Sequence, residues 1–188
     1  INLLLLFIQN PSISQSAVAF FGVYYKLQTF IYMPTSGIVQ GMRPLMSYNY
    51  GAKLKERMHQ ILKVSGLVIA AILGAGTLLF FIVPNVLLSL FNASSGMLEI
   101  GETGLRILSL SFIVSSFGVL MSGVFEALGL GKYSLIVSLL RQLLITVPLA
   151  YILLNIMGIE GIWLSFVIAE AIASIVAYIL YHKKFKTI

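Results

Sequence analysis

Long apolar stretches alternate with short polar ones along the whole chain. Most of these stretches reach the roughly 20 residues that a helix needs to cross a bilayer. Full spans are predicted at residues 17–48, 61–91, 105–128, 133–154 and 162–181, after an apolar run at 1–8. The pattern predicts an all-α polytopic membrane helix bundle, with five full transmembrane helices and a truncated N-terminal one. All 188 residues are assigned to one transmembrane domain.

The first long stretch is interrupted by Pro34, Gly37, Gly41 and Pro44. At about 1.5 Å per residue, its length exceeds the ~30 Å of hydrocarbon in a bilayer. We therefore expect this helix to kink and its last turns to reach the membrane interface.

Basic residues occur in every second connection between the spans. They are Lys53, Lys55, Arg57 and Lys63, then Lys132, and finally Lys183, Lys184 and Lys186 in the tail. The alternating connections, "QNPSISQS" (predicted to be a turn), "NASSGMLEIGET" and "NIMGIEG", contain no basic residue. Because cytoplasmic loops carry an excess of lysine and arginine, this pattern predicts a multi-pass plasma-membrane protein with a cytoplasmic C-terminus.

Composition supports a lipid environment. The chain is 59% hydrophobic and 10% charged, with a mean hydropathy of +1.01, whereas soluble domains carry about a quarter charged residues. The net charge of +6 does not indicate nucleic-acid binding, because the cations lie between and inside apolar spans and not on one solvated face. Attraction to anionic lipids of the cytoplasmic leaflet is the better interpretation.

Residue types needed for hydrolytic or metal chemistry are missing. The chain has no cysteine, and His59 and His182 lack partners at ligand spacing, so no metal site is expected. The spans contain no aspartate, no histidine and no HExxH motif. We therefore expect that the protein is not an enzyme.

Charged residues inside the predicted spans are candidate functional groups, since each one costs free energy in a bilayer. Lys26 and Glu170 lie at similar depth, which suggests a buried pair facing a shared polar cavity; a purely structural ion pair, or separate placement of the two residues, is the alternative. Arg141 lies deeper than a flanking residue, and a hydrogen bond to a backbone carbonyl would satisfy it. Arg106 and Glu126, near the ends of one span, are expected to reach the interfaces.

Polar and aromatic side chains recur around Lys26 at close to helical spacing. They are Tyr24, Tyr25, Gln28, Thr29, Tyr32, Ser36 and Gln40. Such a stripe would form a wall suited to amphipathic organic cations, but ordinary interhelical packing explains it nearly as well. On a later span, Ser111, Ser115, Gly118 and Ser122 have the spacing of a tight helix contact.

Three segments carry a family resemblance. They are "MPTSGIVQGMRPLMSYNYGAKLKER", "GVFEALGLGKYSLIVSLLRQ" and "GIEGIWLSFVIAE". In this order they resemble the eighth helix end, the tenth-to-eleventh helix turn and the twelfth helix entry of MATE (multidrug and toxic compound extrusion) transporters. The resemblance covers nearly the whole chain and implies the C-terminal lobe of a twelve-helix transporter, whose N-terminal lobe lies upstream of Ile1.

The resemblance implies a secondary active antiporter that exports amphipathic or cationic drugs and toxic compounds. The implied driving force is an inward flow of Na⁺ or H⁺, without any other cofactor. Motif positions at the eighth helix end match Gln40, Gly41, Pro44, Tyr48, Asn49, Gly51 and Ala52. Family members place ion-binding acids in the seventh and tenth helices, but here the tenth has only Glu126, at its cytoplasmic end.

A lipid-linked oligosaccharide flippase of the same superfamily is one alternative function, and a non-transporting membrane scaffold, against which the charges inside the spans argue, is another. The flippase needs a basic cavity for a diphosphate headgroup. Lys26, Arg43, Arg106 and Arg141 could line one.

Overall fold

A computed structural model describes residues 11–185, and these residues form helices joined by short connections. The helices are α1 (Pro11–Gly51), α2 (Lys55–Ile82), α3 (Pro84–Ser89), α4 (Ser95–Ala127), α5 (Gly131–Leu139), α6 (Thr146–Met157) and α7 (Ile159–Phe185). A π-helical turn, Leu140–Leu144, joins α5 to α6. The predicted all-α architecture is confirmed.

Four helical segments in the described part of the chain are long and apolar enough to cross a membrane. They are Lys55–Ile82, Ser95–Ala127, Gly131–Met157 and Ile159–Lys184, the third combining α5, the π-helical turn and α6. Helix α1 is 41 residues long but is not among the four. Its lysine, glutamines and tyrosines lower its hydropathy below that of the other spans.

Helix α1 begins earlier than expected. It starts at Pro11, so the predicted turn in "QNPSISQS" is wrong from Pro11 onward. Proline fits the first helical turn, because the N–H that it lacks would have no partner there. The helix then continues through Pro34 and Pro44 to Gly51. The apolar run predicted at residues 1–8 lies outside the described residues.

Local signals explain two other boundaries. The stretch predicted as one span at 61–91 is divided at Val83, because Pro84 cannot donate a hydrogen bond into α2 and instead starts α3. Helix α4 begins at Ser95 and not at Leu105, because the Ser94 side chain caps it by accepting a hydrogen bond from the Met97 N–H, 3.3 Å away.

Helix α4 is the centre of the bundle and packs against α1, α2 and α7. Its predicted small-residue contact is confirmed at Gly118, whereas Ser122 lines a pocket. Ser115 and Gly118 are buried, and a Cβ added to Gly118 would lie 3.2 Å from Ser174 Oγ of α7. Ser174 also donates a 2.8 Å hydrogen bond to the Val114 carbonyl. Close backbone approach therefore holds α7 against α4.

An aromatic cluster joins α1 to α7. Trp163 of α7 is fully buried. Its ring meets Phe20 edge-on at 5.1 Å and stacks on Phe21 at 6.0 Å between ring centroids. Phe21 also contacts Phe166 at 5.7 Å. These contacts fix the rotation of α1, and hence the direction in which its polar stripe faces.

Candidate functional site

A pocket of about 340 Å³ opens along the polar stripe of α1. We call it the tyrosine pocket; it is lined by Tyr25, Gln28, Thr29, Tyr32, Met33, Ser36 and Arg141. The spacing along α1 places these side chains on one helical face. The predicted stripe therefore lines a cavity over much of its length, and it combines aromatic rings with hydroxyl and amide groups.

Hydrogen bonds order part of this wall. The Tyr32 hydroxyl lies 2.5 Å from Ser115 Oγ on α4, so its half-buried ring is held against the bundle. Thr29 Oγ1 donates to the Tyr25 carbonyl at 2.8 Å, within the helix. Tyr25 itself is 64% exposed. The pocket therefore has one fixed aromatic side chain and one that is open to a ligand.

An ion pair lies behind the tyrosine pocket. Arg141 Nη2 lies 3.1 Å from Glu170 Oε1, and the two side chains are only 15% and 14% exposed. The second carboxylate oxygen of Glu170 and Nε of Arg141 are buried without a hydrogen-bond partner in the described part of the chain. This is the most enclosed of the ion pairs found there.

The predicted pairing of Lys26 with Glu170 is wrong. Lys26 is exposed, and its ammonium lies 6.0 Å from the centroid of the Phe91 ring. Equal depth in the membrane did not place the two groups on facing surfaces, because depth says nothing about the rotation of each helix. The backbone carbonyl expected to satisfy Arg141 is likewise replaced by the carboxylate of Glu170.

The π-helical turn sets the position of Arg141. Ile145 N–H donates to the Leu140 carbonyl, five residues earlier, at 3.1 Å. Pro148 has no N–H to offer to the carbonyl of residue 144, and the Thr146 hydroxyl donates to the Arg141 carbonyl. Such a bulge inserts an extra residue into the helical turn and re-aims the side chains on it.

A second pocket, of about 270 Å³, lies beside the first and shares Ser36 and Arg141 with it. We call it the arginine pocket; it is lined by Ser36, Val39, Gln40, Arg43, Val119, Ser122, Gly123, Ser138, Arg141 and Gln142. Arg43 pairs with Glu126, which also accepts a 2.7 Å hydrogen bond from Ser134. Glu126, expected to reach the interface, is thus engaged in an ion pair while remaining partly exposed.

Arg106 belongs to neither pocket. It pairs with Glu102 at 2.9 Å, one turn earlier on α4, and its Nε donates to the Phe81 carbonyl at 3.4 Å. Of the four cations considered for a basic cavity, the structure brings only Arg43 and Arg141 together.

In the motif at the end of α1, Asn49 is the buried position. Asn49 side-chain Nδ2 donates to the Leu45 carbonyl at 2.8 Å, and the backbone carbonyl of Asn49 accepts from Leu54 N–H at 2.9 Å. Gln40 lines the arginine pocket. The remaining motif positions are exposed: Gly41, Pro44, Tyr48, Gly51 and Ala52.

Sequence reasoning missed Met33, Ser138 and Gln142 as pocket residues. Met33 lies about two turns after Tyr25 on the same face of α1, so the helical period could have identified it. Ser138 and Gln142 lie at the π-helical turn, and no sequence signal separated them from other span residues. In the residues that the structure describes, no group of three or more histidine, cysteine or acidic side chains could hold a metal ion.

Curated relatives of this chain are named as drug exporters. The multidrug export protein MepA of Staphylococcus saprophyticus is 26% identical over 164 residues, which are 87% of this chain and 36% of that protein. MepA of Staphylococcus aureus strain N315 has the same identity and coverage.

Solved structures share the fold. An outward-facing MATE family multidrug resistance transporter of the MOP superfamily matches 99% of this chain and 41% of its own, with a TM-score of 0.89 and 20% identity. The MATE multidrug transporter DinF-BH, solved as a complex, matches 89% of this chain and 37% of its own, with a TM-score of 0.79 and 30% identity.

The chain therefore spans little more than a third of the length of these relatives. The MatE family model matches residues 2–152 of this chain. The helical architecture, the apolar spans and this match agree with the resemblance carried by the three sequence segments. This chain belongs to the MATE family of membrane transporters.

Proposed function

We propose that this chain forms the C-terminal lobe of a secondary active multidrug exporter, which works by transport and not by catalysis. The exported compounds are amphipathic or cationic, and an N-terminal lobe of the same polypeptide completes the pathway. The observation that carries the proposal is the tyrosine pocket, which places aromatic and polar side chains of α1 against a buried ion pair.

The lining of the tyrosine pocket fits amphipathic cations. The face of an aromatic ring attracts a cation, with a free energy of about 0.5–2 kcal/mol depending on desolvation. Tyr25 and Tyr32 offer such rings, and Gln28 and Thr29 add hydrogen-bonding groups. Arg141 would repel a cation, but its pairing with Glu170 offsets that charge. A pocket lining of this kind distinguishes compounds only loosely by shape and charge, which suits the export of many different compounds.

The coupling ion is Na⁺ or H⁺, and Glu170 is the candidate group for responding to it. All six acidic residues of the chain lie in the described part, and Glu170 is the most buried of those that form ion pairs. A proton or Na⁺ on Glu170 would weaken its hold on Arg141, which lines both pockets. Ion entry and substrate release would then be linked through one side chain.

Dye export by the complete protein tests the proposal. Cells expressing it should export the cationic dye rhodamine 6G, and Tyr25→Ala should slow export by about threefold or more through the lost cation–π contact. Tyr151→Ala is the matched control, since Tyr151 of α6 is similarly exposed, 56% against 64%, and lies outside both pockets. Equal export by cells with and without the protein would refute the proposal.

The role of Glu170 is tested separately. Export is measured while the Na⁺ and H⁺ gradients are varied one at a time, for the wild type, for Glu170→Gln and for Glu102→Gln. Glu170→Gln should lose the dependence on the coupling gradient, and Glu102→Gln, at the exposed pair with Arg106, should keep it. Unchanged coupling in Glu170→Gln would remove Glu170 from the mechanism and leave the export function standing.

The relatives described above are named as multidrug exporters or transporters, and the flippase alternative finds no support among them. The membrane location agrees with the four apolar helices. A cytoplasmic C-terminus is part of the proposal and rests on the basic connections alone.

A further inference from the structure

The arginine pocket has a donor-rich lining. Arg43 of α1 and Arg141 of the π-helical turn both line it, together with hydroxyl groups from Ser36, Ser122 and Ser138. None of its described lining residues is acidic. Each arginine has a carboxylate partner, but Glu126 and Glu170 are absent from that lining.

Both guanidinium groups keep unused hydrogen-bonding capacity. Each pairs with its carboxylate through Nη2, whereas Nε of Arg43 and Nε of Arg141 are buried without a hydrogen-bond partner among the described residues. Ser122 Oγ is in the same condition. An arginine Nε can only donate a hydrogen bond. These three polar groups belong to residues that line the same pocket, so a ligand bound there would be placed to supply the missing acceptor.

The best acceptor for such a set carries negative charge. Planar guanidinium groups match carboxylate and phosphate oxygens in geometry, and charge-assisted hydrogen bonds are stronger than neutral ones. The two carboxylates hold the arginines in place, so the pocket is ordered before a ligand arrives. A volume of about 270 Å³ admits a small acidic group together with part of the ring that bears it.

We propose that the arginine pocket binds the anionic group of an amphipathic substrate, a carboxylate, sulfonate or phosphate. The adjacent tyrosine pocket, which shares Arg141 and Ser36, would hold the aromatic or cationic part of the same molecule. The chain would then accept zwitterions as well as cations. This inference deepens the proposed export function, but binding to the pocket is measurable without transport.

Two dyes with the same chromophore, one carrying an ethyl ester and the other a free carboxylate, test the pocket. Rhodamine 6G is an ethyl ester and a cation, and hydrolysis of the ester gives a free carboxylic acid with the same chromophore. Binding of each dye to the purified complete protein is followed by fluorescence anisotropy. The wild type is compared with Arg43→Gln, with Ser122→Ala and with the control Arg106→Gln, whose side chain is 45% exposed against 41% for Arg43 and also pairs with a glutamate.

Arg43→Gln should weaken binding of the free acid by about tenfold, the value of one charge-assisted hydrogen bond, and leave the ester unchanged. Ser122→Ala should weaken binding of the free acid by about threefold. It also serves as the second variant if Arg43→Gln does not fold, because the Ser122 hydroxyl has no partner to lose in the described structure. Arg106→Gln should leave the binding of both dyes unchanged.

Equal losses for both dyes, or a loss confined to the ester, would overturn the proposal. Anionic lipid is the other source of such a group, so the binding is repeated in nanodiscs of phosphatidylcholine alone and with phosphatidylglycerol. Competition by phosphatidylglycerol would assign the pocket to a headgroup and overturn the substrate assignment. Selective binding of the acid without export of either dye would uphold the pocket and refute the export function.

Discussion

Arg141 and Glu170 form an ion pair in which the removal of one partner alone should cost much stability. Both side chains are largely enclosed, since their exposures are 15% and 14%. Each ion has left water at a cost of several kcal/mol, and their mutual attraction offsets that cost. Removal of one partner leaves the other charge buried without compensation. This asymmetry predicts how single and double variants should differ.

Arg141→Gln should lower the free energy of unfolding by about 3–5 kcal/mol, because Glu170 stays behind as an unpaired carboxylate. The double variant Arg141→Gln/Glu170→Gln should recover a large part of the loss. Thermal unfolding of the purified complete protein measures both. Arg106→Gln breaks the exposed pair with Glu102 and should cost about 0–1 kcal/mol. A double variant no more stable than the single one would contradict this account of the pair.

At the residue scale, the sequence predicted the tyrosine pocket better than the ion pair. The residues of the stripe, such as Tyr25 and Tyr32, follow from the period of a single helix, which is a local property. The partner of Glu170 depends on how α7 is rotated relative to the π-helical turn. Neither the rotation nor the extra residue of that turn is visible in the spacing of charges, so Lys26 was the wrong choice.

Two glycines allow α6 and α7 to approach each other closely where the chain passes from one helix to the other. Gly158 ends α6 with φ of 69° and ψ of −148°, a backbone conformation that favours glycine. Gly161, in the first turn of α7, lies so close to α6 that an added Cβ would clash with the Leu153 carbonyl oxygen. Backbone atoms cannot swing aside as a side chain can.

Gly161→Ala should therefore destabilise the protein by about 1–3 kcal/mol, the usual cost of forcing extra volume into a packed contact. Gly22→Ala is the control, since a Cβ on Gly22 of α1 meets nothing within 4 Å. Alanine should there favour the helix by roughly 0.5–1 kcal/mol. Thermal unfolding of the two variants should shift in opposite directions, and a shift in the same direction would refute the close-contact argument.

The π-helical turn can be tested through Thr146. Its hydroxyl donates to the Arg141 carbonyl, so Thr146→Val removes the hydrogen bond with little change in shape. The expected cost is about 1–3 kcal/mol, because the carbonyl is left with an unpaired acceptor. Thr29→Val removes a similar bond at an exposed position and should cost less. Equal costs would indicate that the hydroxyl of Thr146 does not support the turn.

At the scale of the whole molecule, the helical bundle was predictable because lipid dictates its main features. A backbone that crosses hydrocarbon must satisfy its own hydrogen bonds, so long apolar stretches become helices. The start of α4 at Ser95 and the break at Val83 were less accessible, since the first depends on one serine cap within a predicted connection and the second on one proline inside a stretch predicted as a single span. The arrangement of α4 at the centre required tertiary contacts that periodicity does not contain.

The orientation in the membrane is a whole-molecule prediction. This chain contains no cysteine, so single cysteines can report on it once any elsewhere in the protein are replaced. Ala93→Cys, between α3 and α4, should react with an impermeant maleimide from outside the cell. Lys55→Cys and Lys183→Cys should react only in inverted vesicles. Labelling of Ala93→Cys and Lys55→Cys from the same face would refute the arrangement.

Trp163 gives the molecule a built-in optical reporter. It is the chain's only tryptophan, and it is enclosed by Phe20 and Phe21 where α1 meets α7. Indole emission moves to longer wavelength when water or a polar group reaches the ring. Any step of the transport cycle that separates α1 from α7 would therefore shift the emission wavelength of Trp163, and no attached label would be needed. If any tryptophans elsewhere in the protein are replaced by phenylalanine, the emission of Trp163 would report when α1 and α7 separate.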